Sequence, residues 1–264
     1  MRNVLITGAA SGLGKAMAQL FVEKNYNVLV VDIQDESGLT FVEELKQQGY
    51  QAEYYHCNIG SIDDIESLFK EVQSNHQNID VLINNAGVAS AGTLPQTTYE
   101  EWQRLISLDL MSVIHITKAF LPLIKQNQQA HIVNIASFAG IALMPGMMSY
   151  NVAKAGVIAF SETLHGELNQ FGIGVSVACP AFFPTNLVES MNSASDKTKS
   201  FVEKQMKNSG VRAEDVAKDI YVGIEKKQFM IISHKDSRIQ YFLKRLFPNV
   251  FMRKKIKIFN KINQ

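Results

Sequence analysis

"NVLITGAASGLGKAMAQL", residues 3–20, runs from an apolar, β-branched stretch through three glycines into a helix-forming stretch. Val4, Leu5 and Ile6 read as a strand buried on both faces, the situation of a parallel strand between two helical layers. Gly8, Gly12 and Gly14 let the backbone turn sharply, and the residues after them carry apolar side chains at helical spacing. A strand, a glycine loop and a helix in that order read as the opening of a βαβ unit.

The same alternation repeats outward along the chain. Apolar runs at 27–32, 52–57, 79–84, 131–137, 174–179 and 229–233 join the run at 3–7. Helical stretches at 12–24, 37–48, 61–75, 99–121, 150–170, 186–206 and 213–226 follow them. The expected fold is a doubly wound α/β Rossmann fold, a seven-stranded parallel sheet with helices on both faces. No Gly/Ser linker, low-complexity tract or repeat divides the chain, so residues 1–236 are expected as one domain and 237–264 as a C-terminal extension. The small polar residues of 187–200 make that segment the candidate lid.

Composition narrows the function classes. The 264 residues are 46% hydrophobic and 19% charged, an ordinary globular balance. The formal net charge of +1 hides an asymmetry: residues 237–264 hold eight Lys or Arg and no acid, while 1–236 hold 18 bases and 25 acids. Cys57 and Cys179 each end an apolar run and read as buried thiols of a reducing cytoplasm. The N-terminus has no signal-peptide pattern, and no uninterrupted apolar segment approaches the ~20 residues of a membrane span. A cytoplasmic location is expected. His56, His76, His115, His131, His165 and His234 lack paired ligand spacing, so no metal site is expected.

The loop "TGAASGLG" (7–14) sits where a dinucleotide pyrophosphate meets a helix N-terminus, with Gly8, Ser11, Gly12, Leu13 and Gly14 bringing backbone close to phosphate. Asp32 ends the second strand, 18 residues beyond Gly14, within reach of the adenosine ribose hydroxyls. A 2′-phosphate there would meet like charge, and neither Ser11 nor Ile33 supplies a cation. NAD(H) is therefore favoured, with NADP(H) the alternative and Lys15 the one nearby cation in its favour.

"NNAG" (84–87), Ser137, "YNVAK" (150–154) and "PAFFPT" (180–185) follow the glycine loop in order. Together these motifs make the chain resemble the short-chain dehydrogenase/reductase family from residue 4 to about 233. The resemblance implies a catalytic set of Ser137, Tyr150 and Lys154. It also implies that Asn85, Ala86 and Gly87 line the adenosine side, that Asn58 and Ile59 hold the adenine, and that Pro180, Phe183 and Thr185 lie on the nicotinamide side. Homodimers or homotetramers are usual in the family. Three positions depart from its pattern: Asn58 stands where Asp is commoner, Ala181 replaces a glycine, and Asp109 replaces an asparagine that helps hold a water near the lysine. Asp109 is either a member of the proton relay or a structural replacement of similar shape.

Tyr150 and Lys154, four apart, share one helix face. An ammonium beside a phenol stabilises the phenolate and lowers a pKa that is otherwise near 10, which makes the tyrosine a usable general acid or base. Ser137 would stabilise charge on a substrate oxygen. The surrounding "AGIALMPGMM" (139–148), Phe182, Phe183, Leu187 and Met191 suggest a hydrophobic secondary alcohol or ketone as substrate. An NADP(H)-dependent ketone reductase and a non-catalytic dinucleotide sensor are the competing readings.

Beyond the last expected strand, 238–264 combines apolar residues at helical spacing (Ile239, Tyr241, Phe242, Leu243, Leu246, Phe247) with basic residues. Such a segment either lies on the inner face of a membrane as a peripheral contact or packs on the acidic body or another subunit. Nucleic-acid binding is not expected, because the basic residues are confined to the tail.

Overall fold

Strands β1 (Arg2–Thr7), β2 (Tyr26–Asp32), β3 (Ala52–His56), β4 (Val81–Asn84), β5 (His131–Ile135), β6 (Gly174–Ala178) and β7 (Met230–Ile231) form a single sheet ordered β3-β2-β1-β4-β5-β6-β7. Every pairing is parallel. The structure, a computed structural model, describes residues 1–185, 191 and 196–263. Its helices are α1 (Gly12–Glu23), α2 (Asp35–Gln47), α3 (Ile62–Asn75), α4 (Tyr99–Ile106), α5 (Ser112–Ile124), α6 (Phe138–Ala142), α7 (Met148–Asn169), α8 (Asp196–Lys207), α9 (Ala213–Glu225), α10 (Lys235–Leu246) and α11 (Pro248–Asn263).

Strand alternation splits the apolar runs between two cores. Val4 and Ile6 pack with Met17, Phe41 and Ile220 under α1, α2 and α9, while Leu5 between them packs with Leu68, Phe120 and Leu164 under α3, α5 and α7. Both faces are covered, which is why the runs are continuously apolar rather than alternating. Strand order reverses between β1 and β4, so the loops leaving these two strands diverge and open a crevice at the strands' carboxyl ends.

Three expectations change in detail. The stretch expected as one helix over 99–121 is α4 and α5 joined by a π-helical turn, Ser107–Met111, and it continues to Ile124. This run, Tyr99–Ile124, is apolar and long enough to cross a membrane by length and composition alone. Leu105, Asp109, Ile116 and Phe120 are nevertheless buried in the protein, as in a core helix. Short α6 between β5 and α7 was not expected. The candidate lid at 187–200 falls largely on 186–190 and 192–195, which lie outside the described residues, and the expected helix at 186–206 is seen as α8.

Candidate active site

The glycine loop closes over its own helix for steric reasons. Gly8 has φ +65°, and a side chain on Gly14 would drive its Cβ to 2.0 Å from the Gly8 carbonyl oxygen. Gly12 opens α1 with φ +52° and nothing within 4 Å of the place its Cβ would take, so the space before the helix N-terminus is clear. First-turn amides have no intrahelical acceptor and carry the positive end of the helix dipole, so the cradle fits a pyrophosphate. Asn85 locks the "NNAG" turn to this loop: its Nδ2 donates to the carbonyls of Thr7 (2.9 Å) and Gly8 (3.1 Å), while its backbone N–H reaches Thr7 Oγ1. Ala86 N–H donates to the same hydroxyl at 3.1 Å.

Asp32 ends β2 at the edge of this cradle. Its carboxylate accepts from the backbone N–H of Ala10 at 2.9 Å and of Gln34 at 3.1 Å, which fixes its orientation. A second carboxylate stands at the same corner, because Tyr54 Oη bridges the Asp32 carbonyl (2.9 Å) and Asp35 Oδ1 (2.8 Å). Lys15 turns outward to Glu44 at 3.7 Å and lies over the Phe41 ring. The exposed Ile33 adds no charge. Asn58 forms a turn, its Oδ1 accepting from Gly60 N–H and its backbone N–H donating to Asp64, and Ile59 packs against the core beside it.

Ser137, just past β5, caps α6, its Oγ accepting from Ala139 N–H at 3.1 Å. Gly140 lets α6 lie directly on α7: a Cβ there would come within 2.7 Å of the Lys154 carbonyl carbon. Tyr150 and Lys154 project from α7 with relative exposures of 6% and 4%. The Lys154 ammonium lies 5.7 Å from the Tyr150 ring centre and donates to the Ile135 carbonyl at 3.3 Å. Asp109 reaches in from the π-helical turn, with one oxygen 3.2 Å from Lys154 Nζ and the other accepting from Val88 N–H at 2.8 Å. Gly87 makes that approach possible, since a Cβ there would sit 3.1 Å from Asp109 Oδ1 and 3.3 Å from Lys154 Nζ.

These groups set one another's protonation. Burial pushes the Tyr150 phenol up; Lys154 pulls it down, Asp109 pushes it up again and a hydrogen bond with Ser137 pulls it down, with the net result above the usual phenol range. Burial would depress Lys154, but the Asp109 carboxylate and the Tyr150 phenol reverse that and hold its pKa high. Asp109 is fully buried, and burial pushes its carboxyl up against the pull of Lys154.

The loop at 180–185 is clamped by a residue that sequence spacing does not single out. His234 Nδ1 accepts from Ala181 N–H at 3.3 Å and its Nε2 lies 2.9 Å from the Phe182 carbonyl, a pattern that requires the Nε2–H tautomer. Ala181 is not among the residues of positive φ, so alanine fits here without strain. Pro180 accepts from Phe138 N–H. Tyr150 belongs to an apolar cluster with Leu105 and Met191, against which Met147 and Phe182 pack. Phe183 is not part of it and lies instead in the core with Leu13 and Ile135. Leu187 lies outside the described residues. Thr185 is partly buried at the end of the same loop. Among the described residues no group of three His, Cys, Asp or Glu side chains is placed to hold a metal ion.

A parallel sheet with a glycine loop that fits a pyrophosphate at its crevice, and half-buried Ser137 beside buried Tyr150 and Lys154, fits a nicotinamide-dependent oxidoreductase of CH–OH groups. Residues 2–196 match the short chain dehydrogenase family, and the chain belongs to it. It is 35% identical over 189 residues to the 3-oxoacyl-[acyl-carrier-protein] reductase of Synechocystis, covering 71% of this chain and 76% of that protein. A second relative, from Thermotoga maritima and of the same name, is 34% identical over 187 residues, with 71% and 76% covered. Among solved structures, a short-chain dehydrogenase/reductase from Burkholderia phymatum in complex with NAD is similar, with a TM-score of 0.84 at 25% identity over 93% of this chain and 94% of that one. An actinorhodin polyketide ketoreductase with NADPH gives a TM-score of 0.79 at 26% identity over 88% and 95%. The cofactor is therefore NAD(P)(H).

Proposed function

We propose that the protein is an NAD(H)-dependent oxidoreductase that interconverts a hydrophobic secondary alcohol and its ketone. The observation that carries this reading is the convergence of buried Tyr150, Lys154 and Asp109 with half-buried Ser137, beside an apolar cluster. The bound nicotinamide supplies or receives the hydride. In ketone reduction Tyr150 donates its phenolic proton to the oxygen that becomes the hydroxyl; in alcohol oxidation the phenolate takes that proton. Ser137 Oγ donates to the same oxygen and stabilises its developing charge. Lys154 keeps positive charge beside the phenol, and Asp109 positions and partly offsets that charge.

The cofactor preference rests on charge. Asp32 and Asp35 share the corner where a 2′-phosphate would lie, and Lys15 is engaged by Glu44, which favours NAD(H). A second reading, NADP(H)-dependent reduction of a 3-oxoacyl-type ketone, is supported by the similarity to two 3-oxoacyl-[acyl-carrier-protein] reductases and to a polyketide ketoreductase with NADPH. Residues Gly8, Ser11, Gly12, Leu13 and Gly14 would hold the pyrophosphate in either case. Association into homodimers or homotetramers, which rests on family membership, and a cytoplasmic location, which rests on the two buried free cysteines, complete the proposal.

Tyr150→Phe tests it. The variant should lose turnover by at least about a thousandfold, while its affinity for NAD(H) stays within about tenfold, because only the transferable proton is removed. Near-normal turnover would reject the role of Tyr150. Oxidation and reduction assayed side by side with both nicotinamides over apolar alcohols and ketones decide between the two readings.

A further inference from the structure

The chain beyond β7 packs one side of its amphipathic pattern on the body and leaves the other side open. Its inner side packs on the body: Ser237, Tyr241 and Lys244 of α10 and Phe251, Lys255 and Phe259 of α11 recur at helical spacing and turn inward. Lys255 Nζ donates to the Leu143 carbonyl at 3.0 Å and Lys244 Nζ to that of Ile141. The Phe259 ring lies against Gly146, and Phe251 is buried with Phe138, Ile141 and Ala142. All of these contacts fall on the segment that joins Ser137 to Tyr150.

The outer side is apolar and open. Nine of the twenty large hydrophobic side chains exposed among the described residues fall between Ile239 and Ile258. On α10, Ile239, Phe242, Leu243 and Leu246 form one stripe at i, i+3, i+4 and i+7, and Phe247 and Val250 extend it across the turn into α11. Met252 and Ile256 continue the apolar surface on α11. Exposed Arg253, Lys254 and Lys257 lie beside them with no carboxylate in ion-pair reach among the described residues. Concentrated apolar surface of this kind marks an interaction site.

We propose that this outer face of α10 and α11 docks on an anionic lipid bilayer, with the apolar stripe in the headgroup boundary and the exposed cations on lipid phosphates. Charge selects this occupant. The segment carries eight bases and no acid, so a two-fold contact between two copies through the same face would set like charges against each other. An anionic surface complements them instead, and apolar burial plus electrostatic attraction is the pattern of an interfacial helix. Docked in this way, the edge of the cleft formed by the segment between Ser137 and Tyr150 lies close to lipid, the phase in which an apolar ketone would concentrate.

The test is co-sedimentation of the full chain with vesicles of phosphatidylglycerol and phosphatidylcholine, against phosphatidylcholine alone, at low and high salt. Two variants are needed, Phe242→Ser/Leu246→Ser/Phe247→Ser and Lys254→Glu/Lys257→Glu, all at exposed positions that leave the cores intact. Wild type should bind the anionic vesicles at least about tenfold better than the neutral ones, high salt should release it, and both variants should lose most binding. Failure of wild type to sediment with anionic vesicles, or undiminished sedimentation of the triple serine variant, overturns the proposal. A smaller oligomer for the triple serine variant by light scattering, with no vesicle binding by wild type, overturns it in favour of a second copy as occupant.

Discussion

At Asp109 one oxygen replaces one nitrogen relative to the family's asparagine, and the change alters the electrostatics of Tyr150, the proposed proton donor. The carboxylate stands 3.2 Å from Lys154, offsets the ammonium that would otherwise stabilise a Tyr150 phenolate, and so keeps the phenol protonated to higher pH. Alcohol oxidation needs the phenolate, so its rate should rise with pH on the alkaline side. Asp109→Asn removes the carboxylate that pushes Tyr150 up and should move that rising limb to lower pH, with activity at its optimum within about tenfold of wild type. A limb that stays put or moves upward contradicts this account, and complete loss of activity in the folded variant would make the carboxylate indispensable. Asp32 lends itself to a similar single-residue test: Asp32→Arg exchanges a carboxylate for a guanidinium that can pair with a 2′-phosphate, and the ratio of kcat/KM for NADP(H) over NAD(H) should rise at least about tenfold. At this scale the glycine loop and the Tyr150–Lys154 pair could be read from local spacing, Asp32 from its place at the end of a strand, and Ser137 from the family resemblance. Two features could not be read, the pairing of Lys15 with Glu44 and the clamp of His234 on the backbone at 181–182, since they join groups 29 and 52 or more positions apart.

Whole elements were legible where a period runs long enough to read. The strands appear as apolar runs, and the helices that cover them follow the 3.6-residue repeat. Two elements that shape the site lack such a signal. The π-helical turn Ser107–Met111 differs from its flanks by one residue per turn, a change too small for periodicity to register, yet it sets the direction in which Asp109 points. Helix α6 has five residues, fewer than two turns, and its role rests on Gly140 meeting the backbone of α7 at Lys154. A methyl group at Gly140 must push the two helices apart. Gly140→Ala is therefore expected to cost about 1–3 kcal/mol of stability, as overpacked sites do, lowering Tm by several degrees. It should also reduce kcat more than cofactor affinity, because it separates Ser137 from Tyr150 while leaving the glycine loop untouched. Thermal melts and NAD(H) titration of the variant check both parts.

Across the whole molecule, charge and packing tie the tail to the body in a way that composition alone left open. The sequence set a basic amphipathic segment after the last strand, and either of its two uses was compatible with the pattern; which residues turn inward depends on contacts with Ile141, Leu143 and Gly146, about a hundred positions away. Phe251 decides whether this tail belongs to the same cooperative unit as the sheet. It is buried to 8% exposure against α6, on the core that also holds Val177 of β6 and Val157 of α7. Truncating such a ring costs about 3 kcal/mol when the surroundings cannot collapse onto the gap. If α10 and α11 fold and unfold with the sheet, Phe251→Ala should lower the single global Tm by several degrees. If they are instead an appendage that opens by itself, the global Tm should not move, and limited proteolysis should cut the variant only after β7. The packing of Phe251 among residues of β6, α6 and α7 argues for the first outcome, and an unchanged Tm with selective cleavage of the tail would refute it.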